Sequence, residues 1–160
     1  MTQTELNQHL RQYHSIYLPF THLTNEQINT LSLGSYLADC INEVYSDDYS
    51  GAVIPATRTL EQVIKAKLRP GTRRARTIGA LVTLCENQPD VCDDIFTRVT
   101  WPYELMSVHD FLHGLREIVR LRAQAAHAYI SRRDVSRCLA LCAMVINILN
   151  VVNSEKSHQK

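Results

Sequence analysis

Apolar residues recur every three or four positions through most of this chain, and clusters of turn-forming residues interrupt them. That period is the signature of helices with one buried face. Thr24-Asn25-Glu26-Gln27 has the Thr-x-x-Gln form of a capping box and predicts a helix start. Ile28, Leu31, Leu37, Ile41 and Val44 form the apolar face behind it. Asp47-Asp48-Tyr49-Ser50-Gly51 breaks the run. A second helix carries Val53, Ala56, Leu60, Val63, Ile64 and Leu68, with Pro55 near its start as a first-turn residue or a kink, and Arg69-Pro70-Gly71 ends it. Residues 72–85 predict a third amphipathic helix with Ala75, Ile78, Val82 and Cys85 inward. Asn87-Gln88-Pro89-Asp90 punctuates, a short helix runs over 91–99, and Trp101-Pro102 is another break. Ser107, with Asp110 at the third helical position, caps a long helix whose core face is Val108, Phe111, Leu115 and Ile118. Ser131-Arg132-Arg133-Asp134 is a fresh cap for a last helix lined by Val135, Cys138, Leu139, Cys142, Val145, Ile146 and Leu149. The stretch up to about residue 17 also reads as helical. No segment has the period of two that marks a strand, and there is no internal repeat. The expectation is an all-α, compact helical bundle of five to seven helices, one domain over 1–153 with a flexible polar tail over 154–160.

Composition narrows the class. At 160 residues the chain is long enough for one real core, since a domain of this size buries roughly 70% of its unfolded surface. Hydrophobic residues make up 45% and charged residues 21%, a globular rather than disordered balance. The formal charge of +1 gives no global attraction to nucleic acid or membrane, so anion binding has to come from local clusters. No apolar run approaches the ~20 residues of a membrane span. Met1-Thr2-Gln3-Thr4-Glu5 has neither the basic start nor the apolar core of a secretory signal. Five cysteines are an odd number, and the expectation is a cytoplasmic protein with reduced thiols. Cys138 and Cys142, four apart on an apolar stripe, read as small core residues.

The candidate chemistry concentrates in Arg122-Ala123-Gln124-Ala125-Ala126-His127-Ala128-Tyr129. Arginine is a permanent cation suited to phosphate, and histidine exchanges a proton near neutral pH. The alanines between them let another surface approach closely. Arg122 continues the register of positions 111, 115 and 118, so it falls where an apolar residue is expected. A guanidinium there needs a carboxylate such as Glu61, a bound anion, or a subunit seam. On an unbroken helix His127 lies about 140° around from Arg122, whereas Tyr129 lies about 20° away. Arg122 and His127 therefore converge only if the helix ends or bends between them, or if two subunits share the site. His109, His113, Arg116, Arg120 and His127 lie within about 40° of one line on the same helix. That stripe suits RNA phosphates or an ordinary solvated face. His109 and His113 are spaced for one metal, but the pair lacks a third ligand, and no metal or other cofactor is expected. Arg69, Arg73, Arg74 and Arg76 cluster at the expected start of the third helix, where an internal carboxylate or an RNA backbone would balance them.

Arg122-x4-His127-x-Tyr129 resembles the Arg-x(4–6)-His signature of HEPN domains, in the Arg-x4-His-x-Tyr form of HEPN toxins paired with minimal nucleotidyltransferase antitoxins. Upstream, Tyr49-Ser50-Gly51-Ala52-Val53-Ile54 through Thr59-Leu60-Glu61-Gln62-Val63-Ile64-Lys65 is similar to that family's "Ala-Ile … Ala-Leu-Glu-x-x-Leu-Lys" helix. The resemblance covers roughly residues 30–150. It implies a homodimer that brings two Arg/His motifs to one cleft, and a metal-independent endoribonuclease. His127 would transfer the proton, Arg122 would stabilise charge on the scissile phosphate, and the RNA would supply its own 2′-hydroxyl. A 2′,3′-cyclic phosphate or its hydrolysis product would result. Tyr129 would match the position that nucleotidyltransferase antitoxins modify. Ala123 follows Arg122 where the family usually carries a polar residue, and Gln124 is the nearest group to substitute.

The resemblance implies the toxin or effector part of a bacterial toxin–antitoxin or phage-defence system, acting on RNA. Arg122 and His127 would be catalytic, with Tyr129 and Gln124 in support. Arg73, Arg74, Arg76, Arg116 and Arg120 would bind RNA, and a separate antitoxin or a nucleotidyltransferase-type protein would be a further partner beside the second copy. The alternative is a non-catalytic helical module that binds a partner protein or nucleotide. A DNA-binding regulator is disfavoured by near-zero net charge and by the absence of a recognisable recognition helix.

Overall fold

The computed structural model describes residues 2–17, 23–43, 48–68, 75, 77–96 and 107–151. Among them are seven α-helices and no strand: α1 (Gln3–Tyr17), α2 (Asn25–Glu43), α3 (Ser50–Leu68), α4 (Ile78–Asn87), α5 (Pro89–Phe96), α6 (Val108–His127) and α7 (Arg132–Val151). The chain is an all-α bundle. Val44, Asp47, the Arg69-Pro70-Gly71 stop, the break at Trp101-Pro102, the end of the short helix near 99 and the tail over 154–160 lie outside the described residues.

Helix α3 is the central element, packed on α2, α6 and α7. Ala52, Val53, Ala56, Leu60, Val63 and Ile64 are buried along it. They meet Phe111, Leu115, Ile118 and Leu121 of α6 and Val135, Cys138, Cys142, Val145, Ile146 and Leu149 of α7 in one continuous core. Burying each large aliphatic or aromatic side chain contributes about 1.5–3 kcal/mol. The exposed ion pairs on the surface contribute ~0–1 kcal/mol each, so the apolar faces decide the fold. Gly34 of α2 is required by packing: a Cβ there would lie 2.9 Å from the Ala52 carbonyl oxygen. Side chains on opposite flanks of α1 meet opposite halves of α2. His9 stacks on Tyr36 and Tyr13 donates to Asp39, whereas Asn7, Arg11 and His14 line a hollow with Asn25 and Asn29.

Local chemistry sets the helix starts. Gln27 N–H donates to Thr24 Oγ1 at 3.2 Å and Thr24 N–H to the Gln27 side chain at 3.0 Å, the reciprocal box read from the sequence. Ser107 and Asp110 close the same box on α6. Ser131 accepts from Asp134 N–H at 3.2 Å ahead of α7. Pro89 opens α5, where a missing N–H is harmless. Pro55 lies inside α3, one turn in, and leaves the Gly51 carbonyl without its helical donor. One expectation needs correcting. The third amphipathic helix begins at Ile78, not at residue 72, because Thr77 takes an extended backbone (φ −129°, ψ 162°) and caps it, accepting from Ala80 N–H. Ala75 is buried as expected, but it precedes the helix.

Candidate functional site

Glu61 is the hinge of the site. It projects from α3 and accepts the Ile78 N–H at 3.2 Å with Oε1, which places a carboxylate on the positive end of α4. The same oxygen lies 2.7 Å from Arg122 Nη1. The carboxylate side chain is 12% exposed and the arginine side chain 35%. The internal carboxylate anticipated for an arginine in the core register of α6 is present. The pair ties α3, α4 and α6 together.

Beside this pair lies a cavity of about 280 Å³, lined by Glu61, Thr77, Ile78, Gly79, Ile118, Val119, Arg122, Ala123 and Ala126. Its walls are mostly apolar, and its polar groups are the ion pair and the Thr77 hydroxyl. Small residues hold it open: Ala123 and Ala126 on α6, and Gly79 on α4, where an added Cβ would meet only Val119 and Thr77 at 3.6–3.9 Å.

His127 is the last residue of α6 and is exposed. It is not among the residues that line the Arg122 cavity. Within one chain α6 runs unbroken to His127, so the angular divergence read from the sequence stands. The strap that follows is held from both α3 and α6. Gln124 Nε2 donates to the Tyr129 carbonyl at 2.8 Å, Tyr49 N–H to the Ile130 carbonyl at 3.0 Å and Ile130 N–H to Asp48 at 3.4 Å, while the Ser50 hydroxyl, whose proton goes to Asp48, lies 3.3 Å from the Ala128 carbonyl. The donors from the Ser50 hydroxyl, then from Ser50 N–H and Ile130 N–H, hold the Asp48 carboxyl below the usual carboxylate range. Tyr129 is thereby presented at 52% exposure, and Ile54, one turn along α3 from Ser50, is 41% exposed. Gln124 thus positions backbone rather than pointing toward the cavity.

The cationic stripe on α6 is real but partly neutralised. His109, His113, Arg120 and His127 are exposed and Arg116 is half-buried. Arg116 pairs with Glu86 of α4, and Arg120 makes two hydrogen bonds to Glu117, each at 2.8 Å. Glu117 also faces Arg137 at 3.4 Å, and its carboxyl is held low chiefly by the Arg120 hydrogen bonds. Arg69, Arg73, Arg74 and Arg76 lie outside the described residues. Among the described residues no group of three His, Cys, Asp or Glu side chains is placed to hold a metal ion. All five cysteines are free, and those with perturbed thiols are poor nucleophiles. Burial pushes Cys85 up to about 12 and raises Cys92, while donation of its own S–H to Cys138, with burial, raises Cys142.

Sequence reasoning missed Thr77, Gly79 and Val119 as cavity walls, and the Asp48–Ser50 clamp on the strap. The Thr77 cap was findable, because a threonine directly precedes the apolar run Ile78-Gly79-Ala80-Leu81-Val82. The clamp was not, since Asp48 and Ile130 are 82 positions apart. Among the described residues, no helix is long and apolar enough to cross a membrane. Comparison of the chain with protein-family models, with curated proteins and with solved structures yields no match, so its chemistry is read from the residues themselves.

Proposed function

We propose that this chain is a metal-independent endoribonuclease of the HEPN type, the toxin or effector of a bacterial toxin–antitoxin or phage-defence system, with its active site in a homodimer cleft. The observation that carries the proposal is the end of α6. Arg122 stands on the wall of an open cavity among alanines, and His127 is exposed five residues later on a differently directed face. A composite site, with Arg122 from one copy and His127 from the other, resolves that divergence. The exposed Tyr129 and Ile54 beside the strap offer apolar area to a second copy. RNA carries its own nucleophile: as His127 takes the 2′-hydroxyl proton the 2′-oxygen bonds to phosphorus, the P–O5′ bond breaks, and the departing 5′-oxygen takes a proton back from the imidazolium, while the Arg122 cation stabilises the phosphorane. Arg120 and Arg116, and the arginines at 73, 74 and 76, would add backbone attraction that weakens with salt.

A second reading has its own observation. Glu61 already neutralises Arg122, and Ala123 follows it where the family usually has a polar group. Both favour a non-catalytic helical module that binds a partner protein or nucleotide. The deciding experiment is RNA cleavage by the purified protein with and without EDTA, beside His127→Ala. The nuclease reading expects cleavage that survives chelation, leaves 2′,3′-cyclic phosphate ends and falls by at least about a hundredfold in the variant. Full cleavage by His127→Ala removes the histidine from the mechanism, and inert wild-type protein selects the binding module.

A further inference from the structure

We propose that Gln124 is the positioning residue for His127 and that Arg120 and Glu117 aim it, an inference that rests on the ribonuclease reading and names what holds its proton-transfer group in place. Glu117, Arg120 and Gln124 follow one another on α6 at spacings of three and four, where side chains of one helix meet. The structure joins them in series. Arg120 spends Nε and Nη2 on the Glu117 carboxylate, each at 2.8 Å, and turns Nη1 to Gln124 Oε1 at 3.2 Å. A guanidinium only donates, so it fixes which end of the amide faces it. The amide nitrogen is turned the other way, and Gln124 Nε2 donates to the Tyr129 carbonyl at 2.8 Å.

The last carbonyls of a helix have no partner within it, so final turns loosen. His127 is the last residue of α6 and is exposed, so the backbone on either side of it sets where its imidazole stands. Gln124 closes that backbone twice. Its main-chain carbonyl accepts the Ala128 N–H at 2.7 Å, and its side-chain amide holds the Tyr129 carbonyl. The far end of the strap is pinned at Ile130 by Tyr49 N–H and by Asp48. His127 therefore occupies a corner anchored from both ends, and on the α6 side one amide supplies the side-chain anchor. Catalytic groups have to be held within about 0.5 Å of the productive geometry, and misplacement by about 1 Å costs up to roughly a hundredfold in rate. Arg120 then acts on the reaction through Gln124, apart from any charge it offers to RNA.

The test compares Gln124→Met, Gln124→Glu and Arg120→Lys with the wild type in RNA cleavage, with kcat and KM measured separately. Methionine keeps the length of the side chain and loses the amide. Glutamate keeps an acceptor for Arg120 and loses the N–H that holds Tyr129. Lysine keeps the charge offered to RNA but lacks the fork that grips Glu117 and Gln124 together. The expected result is a kcat at least about tenfold lower in all three, with KM within about twofold of the wild type. Wild-type kcat in the Gln124 variants overturns the positioning role, and so does a loss confined to KM. Wild-type kcat in Arg120→Lys overturns the part given to Arg120. A second readout needs no activity: NMR relaxation of the His127 Cε1–H bond and the Tyr129 amide should show lost order in Gln124→Met, while the methyl resonances of Leu115 and Ile118 stay in place and report an intact core. A wild-type protein that cuts no RNA overturns the ribonuclease reading, and the relaxation comparison then decides the relay by itself. Lost order at His127 upholds it, and unchanged order overturns it.

Discussion

At the scale of single residues, Glu61 does the most. Its carboxylate meets the α4 N-terminus through Ile78 N–H and the Arg122 guanidinium through Nη1. A carboxylate at a helix N-terminus is worth about 0.3–1 kcal/mol, and more where it is partly buried. The ion pair with the part-exposed Arg122 adds about 0–1 kcal/mol. Glu61→Gln keeps the shape and an oxygen acceptor but removes the charge. It should therefore lower stability by about 1–2 kcal/mol, read as the urea midpoint at constant slope. An unchanged midpoint would mean that the pair is decorative and that apolar packing alone positions Arg122. The need of Arg122 for a carboxylate was legible in the sequence, because it interrupts an apolar register. That Ile78 shares the same carboxylate was not, since it depends on where α4 begins.

At the scale of elements, capping chemistry governs. Ser107 Oγ accepts from Asp110 N–H, and the Asp110 side chain accepts from Ser107 N–H at 2.9 Å and from its hydroxyl at 2.7 Å. The Ser107 hydroxyl first, then the Ser107 N–H, hold the Asp110 carboxyl below the usual carboxylate range. A carboxyl depressed in the folded state stabilises above its unfolded pKa of about 4, and that contribution is lost as pH falls through the folded value. Ser107→Ala should cost about 1 kcal/mol near neutral pH and flatten the acid limb of the stability profile below about pH 4. Thermal melts of both proteins between pH 2.5 and 7 check this, and parallel profiles would exclude the box as the source. The helix pattern itself was readable because apolar spacing is local. The early start expected for α4 went astray because Ala75 is buried like a helical core residue, while Thr77 is extended and starts the helix after it.

At the scale of the whole molecule, the strap after α6 decides what the surface offers. Asp48, Tyr49 and Ser50 at the start of α3, with Gln124, fix the backbone of residues 128–130 and leave Tyr129 facing outward. If the proposed homodimer uses this face, Tyr129→Glu places a charge in its seam. The dimer should then weaken at least about tenfold, seen as a shift from twice the chain mass to the chain mass in light scattering at micromolar concentration. A variant that dimerises like the wild type moves the seam elsewhere, and a monomeric wild-type protein removes the two-copy site.

The amino-acid sequence by itself determined the helical class, most helix boundaries, and the short list of residues able to carry chemistry. All of these follow from spacing and capping over a few positions, where neighbours in sequence are neighbours in space. The tertiary structure decided which charges remain available. It set Arg116 against Glu86 and Arg122 against Glu61, hung the strap from Asp48, and opened a cavity between α4 and α6. Those outcomes depend on how separate helices pack, and packing joins residues that local periodicity never compares.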